Sequence, residues 1–391
     1  MYIMQVHNKY RIDGGENVFV DHIIDLLSRK KVKVFLFSRN SNVIKDSRWK
    51  RIAAFISGIY SLEAIREIKE LINLDRPDVV HVHNLYPFIS PSILIACKHA
   101  RIPVVMTCHN FRLYCPTGML FNEGKICQLC TNGHEYWCFI KNCRKSRIES
   151  FGYALRNFVA MRFRIFLDNV TIFTAPSMFA KLNLIKGGIP SDRIVVVPNM
   201  IRLPSTMADR INGKYVGYVG RISPEKGIKT LLRSISKTKF PLHLAGDHSL
   251  MPEILKNPPP NVRFLGNLKA LQLKEFYQNA RFLIVPSECY ETFGLIAAEA
   301  MSYGLPVIAS RIGSLPEIVE DCKTGLLFKP GDSIELTEKI NLLWKDSKLC
   351  TQLGSAGREK VIRDYDEEYF FNTLLKVYSM AIEIAKNNKI P

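Results

Sequence analysis

The sequence of 391 residues has no apolar run near the ~18 to 20 residues that a helix needs to cross a bilayer. Residues 1–7 show a short strand pattern and lack the basic start, long apolar stretch and small-residue cleavage site of a secretory leader. We therefore expect a cytoplasmic protein. In that compartment, the ten cysteines are predicted to be reduced thiols or metal ligands rather than disulfides.

Acidic side chains are scarce relative to basic ones. The chain has 36 Asp and Glu against 54 Lys and Arg, a formal net charge of +18, and residues 1–200 hold 28 of the basic and 15 of the acidic residues. This excess predicts an anionic partner, but charge alone does not decide between nucleic acid, a phosphorylated substrate and a membrane surface. A hydrophobic share of 47% argues against a disordered chain.

The chain alternates short apolar runs with segments of helical periodicity, which predicts parallel sheets covered by helices. These runs form one series over residues 32–197 and a second over 214–309, separated by a polar stretch at 200–213. We predict an α/β protein of two doubly wound domains, 1–200 and 213–366, facing each other across a cleft. The last helical stretch, about 367–391, is expected to complete the first domain.

Two loops of the first domain carry candidate binding groups. Gly14 and Gly15 open a helix, where backbone N–H groups can approach a phosphate, although paired glycines also simply form tight turns. The pattern is not GxGxxG, which disfavours a nicotinamide-dependent enzyme. His109 follows the strand at 104–106, where its imidazole either binds a substrate group or caps the loop.

Two loops of the second domain carry charge. Arg221 and Lys226 follow the strand at 214–219 and suit a diphosphate, with a solvated basic loop as the alternative. Glu299 interrupts an apolar helix expected to begin near Phe293, so its carboxylate needs a partner, either a ligand or an internal salt bridge. Helical rise would place Glu291 ~12 Å from it, a separation that suits the sugar and ribose of a nucleotide sugar.

These motifs occur in one order along the chain: Gly-Gly-Glu at 14–16, His-Asn at 109–110, Gly-Arg…Lys-Gly at 220–227 and Glu-x7-Glu at 291–299. In this the sequence resembles the retaining family-four glycosyltransferases of GT-B architecture, over essentially its whole length. The resemblance implies two Rossmann-like domains and a hexosyltransferase that moves a sugar from a nucleotide-sugar donor to a glycan or lipid-linked acceptor. It also implies a place in cell-surface polysaccharide synthesis.

The resemblance further implies a role for each matching residue. Arg221 and Lys226 would bind the donor diphosphate, and Glu299 the ribose hydroxyls. Glu291 would contact donor-sugar hydroxyls, helped by the backbone of three residues: Phe293, Gly294 and Leu295. His109 would lie beside the transferred sugar. The two glycines, Gly14 and Gly15, would lie near the phosphate and the acceptor.

The implied chemistry needs no metal. Cations and a helix N-terminus would stabilise the charge on the departing diphosphate, which itself would take the proton of the acceptor hydroxyl. A sugar epimerase or a phosphorylase would share the two-domain plan, but neither is expected to carry this Arg, Lys and Glu-x7-Glu set. A nucleic-acid-binding protein is disfavoured because the charged loops sit at strand ends beside glycines rather than among stacking aromatics.

Five cysteines crowd the loop after His109: Cys115, Cys127, Cys130, Cys138 and Cys143. A Cys-x2-Cys with flanking cysteines is typical of a structural zinc site that ties down a long loop, while reduced thiols are the alternative. Some bacterial members of the resembled family carry a similar insertion. Its closest match here comprises Cys115, Cys127, Cys130 and Cys143.

Residues 141–164 combine seven basic side chains and one acidic side chain with apolar residues near helical spacing. The apolar residues are Ile148, Phe151, Leu155, Phe158 and Val159, with Phe166 just beyond the segment. We expect most of them to pack on the sheet, as in an ordinary crossover helix. The basic rim would attract anionic lipid by ~1 kcal/mol per residue, placing the protein peripherally on the inner face of the membrane.

Overall fold

A computed structural model describes residues 1–9, 15–41, 55 and 57–387 of the chain. These residues form two compact units. The first unit comprises Met1–Leu120, Gln128–Val197 and Phe370–Pro391, and the second unit comprises Phe121–Cys127 and Pro198–Tyr369. The polar stretch predicted as a linker, 200–213, has neither helix nor strand and belongs to the second unit.

The described residues contain fourteen strands. They are β1 (Tyr2–Lys9), β2 (Lys33–Asn40), β3 (Val79–Val82), β4 (Val104–Thr107), β5 (Phe121–Asn122), β6 (Lys125–Ile126), β7 (Ile172–Ala175), β8 (Ile194–Val196), β9 (Tyr215–Val219), β10 (Leu242–Ala245), β11 (Val262–Gly266), β12 (Ala280–Val285), β13 (Val307–Ser310) and β14 (Gly325–Phe328).

Fourteen α-helices have both of their ends among the described residues. They are α1 (Gly15–Arg29), α2 (Leu62–Leu74), α3 (Ser92–His99), α4 (Trp137–Ile140), α5 (Arg147–Arg162), α6 (Ile165–Asn169), α7 (Met178–Lys186), α8 (Ile228–Ile235), α9 (Ala270–Asn279), α10 (Leu295–Ser302), α11 (Leu315–Ile318), α12 (Ser333–Lys345), α13 (Ser347–Asp364) and α14 (Glu367–Lys386). Short 3₁₀ turns cover Thr131–Gly133, Ser191–Arg193, Pro224–Lys226 and Pro252–Leu255.

The sheet of the first unit has the strand order β2-β1-β3-β4-β7-β8, and every neighbouring pair is parallel. β3, β4 and β7 are buried along their whole length, as expected for parallel strands covered on both faces. The last helix, α14, packs against this unit. Its Phe370 ring meets the edge of Phe19, and its Tyr378 hydroxyl bonds to His81 on β3.

The sheet of the second unit has the order β11-β10-β9-β12-β13-β14, again all parallel. Alternate residues of β9 and β12 point to opposite faces, so each face has its own apolar core. Val216 and Phe282 belong to one core, which also contains helix α12. Tyr215 and Leu283 belong to the other, which contains helix α10. The site-bearing loops after β9 and β12 therefore start from a buried scaffold.

Helix α5 does not pack as the sequence predicts. It buries small and polar residues against the first unit and exposes three of its large apolar ones: Ile148 is 87% exposed, and Phe151 and Phe158 are also exposed. Of the other predicted apolar residues, Leu155 and Val159 are partly buried and Phe166, on α6, is buried. Arg156 is buried because its guanidinium stacks on the rings of Tyr86 and Tyr153. The expectation of an ordinary crossover helix with its aromatic face on the sheet is wrong.

Candidate active site

In the second unit, the loops after β9 and β12 lie against each other because these two strands are neighbours. Gly227 has φ 69°, and a Cβ at this position would lie 1.8 Å from the carbonyl oxygen of Pro286. Only glycine allows this approach. The backbone N–H of Glu288 donates to the Glu225 carbonyl at 2.9 Å and fixes the two loops further.

This contact brings Lys226 and Glu291 together across the two loops. Lys226 Nζ donates to Glu291 Oε1 at 2.6 Å, and Ser287 Oγ donates to the same oxygen at 2.6 Å. Burial alone would lower the pKa of Lys226 and raise that of Glu291. The mutual charge and hydrogen bonding reverse both effects, so the Lys226 pKa lies above and the Glu291 pKa below the ordinary value. Both groups are charged at neutral pH.

Arg221 contributes a second cation to this site. Its Nη2 lies 3.5 Å from Glu225 Oε1, and its side chain is half exposed. Glu225 is buried and accepts a further hydrogen bond from Ser223 Oγ at 2.7 Å. The charge of Arg221 acts on both Lys226 and Glu291. The structure thus gathers three predicted site residues into one charged group.

Helix α10 begins at Leu295, two residues later than the sequence predicts. The reason is Gly294, whose φ of 90° is left-handed, with its Cβ position 2.8 Å from a methyl group of Leu315. Glu291 therefore precedes the helix, and the ~12 Å separation from Glu299 calculated from helical rise does not apply. The backbone carbonyl of Glu291 accepts hydrogen bonds from Ser314 N and Oγ, which hold this residue in the loop. Phe293, between Glu291 and the helix, is buried.

The partner of Glu299 is a neutral hydroxyl. Tyr277 donates to Glu299 Oε2 at 3.1 Å, and burial raises the pKa of this carboxyl to about 7. No ion pair involves Glu299 within the ranges that the structure describes. The internal salt bridge considered from the sequence is therefore not what the described residues form. Tyr277 lies 22 residues away on another helix, and nothing in the local sequence marks it.

In the first unit, His109 follows β4 and contacts a second histidine that the sequence reasoning missed. His109 Nε2 lies 3.0 Å from His83 Nδ1, and the two rings stack with centroids 5.2 Å apart. Burial lowers the pKa of His109 to about 3 and that of His83 well below its ordinary value. Both rings border a small cavity of about 30 Å³.

A polar face on two adjacent strands could have revealed this group. Gln5 and His7 lie two residues apart on β1, and His81 on β3 is followed two residues later by His83, just past the end of that strand. A period of two places such residues on one side of a sheet.

Of the predicted glycines, Gly15 is the first residue of α1, while Gly14 lies outside the described residues.

The cysteines of the long loop are free thiols. Cys130 and Cys138 are buried together, with Cys143 packed against them, and the hydrogen bond to Cys143 and burial raise the pKa of Cys138. Cys115 is buried as well, whereas Cys127 is partly exposed and belongs to the second unit. Nowhere in the described ranges do three Cys, His, Asp or Glu side chains form a group that could hold a metal. The predicted set of Cys115, Cys127, Cys130 and Cys143 is therefore not gathered as metal ligands here, and a structural zinc in this loop stays a prediction.

None of the helices in the described part of the chain combines the length and the apolar composition needed to cross a bilayer. Two further apolar residues near α5 in the chain are exposed: Phe163, which is 68% exposed, and Ile140 at the end of α4. Arg147 and Arg162 mark the two ends of α5, and five more basic residues lie in 141–164.

Two family models together match most of the chain. Residues 13–203 match the model described as Glycosyltransferase Family 4, and residues 209–360 match the one described as Glycosyl transferases group 1. Over 146 residues, the chain is 36% identical to an uncharacterized glycosyltransferase of Methanocaldococcus jannaschii. That segment is 36% of this chain and only 41% of the archaeal protein.

Two solved structures share the fold along their whole length. Sucrose-phosphate synthase from Thermosynechococcus elongatus superposes with a TM-score of 0.73 at 20% identity, covering 97% of this chain and 99% of that one. Anabaena HepE in complex with UDP-glucose gives 0.65 at 18% identity, with 97% and 100% covered. The predicted GT-B fold class of two Rossmann-like domains is confirmed. With both family regions present in order, the chain belongs to the group 1 glycosyltransferases and is an enzyme of that class.

Proposed function

We propose that this glycosyltransferase takes a sugar from a nucleotide-sugar donor, retains its anomeric configuration and needs no metal for the transfer. The observation that carries the proposal is the charged group that Arg221 and Lys226 on the loop after β9 form with Glu291 on the loop after β12. The UDP-glucose bound by Anabaena HepE, which has the same fold, supports a donor of this kind.

The charges of this group suit the two ends of the reacting bond. When the bond from the anomeric carbon to the phosphate oxygen breaks, negative charge grows on the departing diphosphate. Lys226 and Arg221 would stabilise that charge electrostatically, together with the partial positive charge at the start of α10. The ionised Glu291 would accept hydrogen bonds from the donor sugar's hydroxyls, and the departing phosphate would take the acceptor hydroxyl's proton.

Seven further residues are proposed to bind the donor or lie near the acceptor. The buried carboxyl of Glu299, held by Tyr277, would accept hydrogen bonds from the ribose hydroxyls. Phe293, Gly294 and Leu295 would offer backbone N–H groups at the helix start, where four such groups lack helical partners. In the first unit, His109 would contact the transferred sugar, and Gly14 and Gly15 would lie near phosphate and acceptor.

We also propose that the acceptor is a lipid-linked glycan of cell-surface polysaccharide synthesis, reached by peripheral binding to the inner face of the membrane. The exposed apolar residues of α5 support this part, because a helix face with Ile148, Phe151 and Phe158 in water gains from contact with lipid. Arg144 and Lys145 come just before this helix in the chain, and Arg147 is its first residue.

A panel of nucleotide sugars tests the proposed reaction. Purified protein is incubated with each donor and a short glycan acceptor, in EDTA or in magnesium, and nucleoside diphosphate release is measured. We expect release with one donor class, equal rates in both buffers, and a product whose anomeric proton shows the donor's configuration by NMR. Inversion at the anomeric carbon, or rapid inhibition by EDTA that magnesium reverses, would refute the corresponding part.

A further inference from the structure

A buried serine, Ser287, holds the carboxylate of Glu291 from within the same loop. Ser287 follows β12 and is 1% exposed, and its Oγ donates to Glu291 Oε1 at 2.6 Å. The direction of this bond is fixed, because the carboxylate is ionised at neutral pH and can only accept. Lys226 Nζ donates to the same oxygen at 2.6 Å. Two donors therefore meet on one oxygen of Glu291.

The other buried serines of the second unit mostly bond to the backbone. Four of them donate to backbone carbonyl oxygens: Ser234, Ser302, Ser310 and Ser314. Ser223 donates to the carboxylate of Glu225, which lies beside Arg221. Ser287 shares with Ser223 a carboxylate partner that is paired with a cation of the proposed donor site. Its hydroxyl thus acts on a side chain of the site and not on the backbone.

The backbone around Ser287 is held against the loop after β9. The N–H of Glu288, the next residue, donates to the Glu225 carbonyl at 2.9 Å. The backbone of Glu291 is fixed as well, by the two hydrogen bonds from Ser314. With the backbone held at both positions, the hydrogen bonds of the side chains determine the direction of the carboxylate.

The two donors occupy Oε1 of Glu291 and leave Oε2 open. A carboxylate oxygen has about two lone-pair sites, and those of Oε1 receive Lys226 and Ser287. Oε2 has no hydrogen bond to any residue that the structure describes. The side chain of Glu291 is 19% exposed, so this second oxygen can accept a hydrogen bond from a ligand.

We propose that Ser287 is a positioning residue that, with Lys226, fixes the Glu291 carboxylate so that Oε2 is directed to the bound donor sugar. Ser287 would not touch the substrate and would act only through Glu291. Without its hydroxyl, the carboxylate keeps one donor, rotates more freely and loses its alignment with the sugar. The inference deepens the proposed function and rests on it for the identity of that sugar.

Calorimetry with the nucleotide sugar that the donor panel identifies, and with its nucleoside diphosphate, tests this role. In Ser287→Ala we expect the Kd for the nucleotide sugar to rise about tenfold, the effect of one charge-assisted hydrogen bond. The Kd for the nucleoside diphosphate, which lacks the sugar, should stay within about twofold of wild type. Ser234→Ala is the matched control, because it removes a buried hydroxyl bonded only to backbone oxygens. It should keep both Kd values within about twofold.

Carbon NMR of protein labelled with ¹³C at the glutamate carboxyl measures the same contact without a donor. The signal of Glu291 is identified by its loss in Glu291→Gln. Burial raises the pKa of Glu291, and the bonds from Lys226 and Ser287 help to bring it below the ordinary value. Removing the hydroxyl in Ser287→Ala should therefore raise this pKa, whereas Ser234→Ala should leave it unchanged.

Four titratable groups face Glu291 besides these hydrogen bonds, and none of them changes its charge in the acid range. Lys226 and Arg221 on the loop after β9 are cations throughout. Tyr218 on β9 and Cys289 on the same loop as Glu291 stay neutral, because burial raises the pKa of both. A change in the titration of Glu291 in Ser287→Ala therefore reports the lost hydroxyl.

The outcomes separate this inference from the proposed function. If the wild type binds no nucleotide sugar, the proposed function fails, and the titration still decides whether Ser287 holds the carboxylate. An unchanged nucleotide-sugar Kd or an unchanged Glu291 pKa in Ser287→Ala would overturn the inference. An equal loss of affinity for the nucleotide sugar and the diphosphate, with a lower melting temperature, would overturn it too. Should Ser287→Ala fold poorly, Ser287→Cys keeps a small side chain with only a weak donor.

Discussion

Glu291 and Lys226 hold each other in the charged state before any donor binds. Their side chains are 19% and 23% exposed, and an unpaired charge at such a position would be costly. Ser287 adds a second donor to the same carboxylate oxygen. An arriving diphosphate would therefore meet an ammonium group already fixed in place. The site would need little rearrangement to stabilise the charge of the diphosphate.

Replacing Glu299 by Gln should weaken nucleotide binding without destabilising the protein. At pH 8 the carboxyl is mostly ionised, since its pKa is about 7, and an amide loses the charge-assisted bond to the ribose. We expect the Kd for nucleoside diphosphate, measured by calorimetry at pH 8, to rise about tenfold. Glu275→Gln, at an exposed site on α9, is the control.

The thermal stability of Glu299→Gln distinguishes a role in nucleotide binding from a role in the fold alone. Because the folded state raises this pKa from the ordinary 4.5, the free energy of unfolding falls as pH rises above 4.5 toward 7. Removing the carboxyl should thus leave the melting temperature at pH 8 unchanged or higher. An unchanged Kd with a lower melting temperature would mean that Glu299 serves the fold alone.

Individual site residues could be predicted where the local sequence determines their place. Arg221, Lys226, Glu291 and His109 all follow strands, and loops after parallel strands gather at one sheet edge. Partners could not be predicted, because they come from distant elements. Tyr277 on α9 bonds to Glu299, and Tyr378 on the last helix bonds to His81, 297 residues earlier in the chain.

Among the elements, helix α5 is the one on which the proposed membrane binding depends. Neutralising Arg144, Lys145 and Arg147 together with Gln should weaken binding to anionic vesicles by ~3 kcal/mol, about a hundredfold. Ile148→Ser should weaken it as well, through lost apolar burial. Sedimentation with vesicles at low and high salt measures both effects, and salt should weaken wild-type binding since screening acts within a Debye length of ~8 Å.

Leu271→Ser is the matched control for Ile148→Ser, because Leu271 is an exposed leucine on α9 of the second unit. It should pellet like the wild type. Equal pelleting of the wild type and the triple variant, or no pelleting of the wild type at low salt, would make a soluble acceptor the better proposal.

Elements were predictable where the pattern of apolar residues matches their burial. The strand predicted at 104–106 is observed as β4, Val104–Thr107. β14 was not predicted, because Gly325–Phe328 has no β-branched residue and becomes a strand through pairing with β13. The face of α5 was predicted wrongly, because helical spacing identifies an apolar side but not whether protein covers it.

At the scale of the whole molecule, the buried histidines predict acid sensitivity. The pKa of His81 and of His109 is about 3, and that of His83 is well below the ordinary 6.5. As pH falls below 6.5, the unfolded chain takes up protons that the folded one excludes. The free energy of unfolding should therefore fall by up to ~1.4 kcal/mol per pH unit for each histidine.

Urea unfolding at pH 7, 6 and 5 measures this dependence. His81→Phe should reduce the slope by about one histidine's share, whereas His134→Gln, which removes an exposed histidine, should not change it. A wild-type urea midpoint that stays constant from pH 7 to pH 5 would contradict the burial of these rings.

The two-domain plan could be predicted because the pattern of apolar and polar residues shows two series of strands and helices with a polar stretch between them. Each unit's sheet order could not be read in the same way. Both sheets place their first strand in the interior, β1 between β2 and β3 and β9 between β10 and β12, and this order arises from long-range packing. The charge of +18 likewise indicated an anionic partner but not its kind.

The central claim is that fixed cations of the second unit carry the leaving-group charge. The most direct measurement is donor-dependent nucleoside diphosphate release by Lys226→Ala and Arg221→Ala beside Lys229→Ala, an exposed lysine at the start of α8. With all variants folded at the assay temperature, the first two should lose about a hundredfold in kcat, corresponding to ~3 kcal/mol, and Lys229→Ala should stay within about twofold of wild type. Wild-type turnover in both Lys226→Ala and Arg221→Ala would contradict the claim.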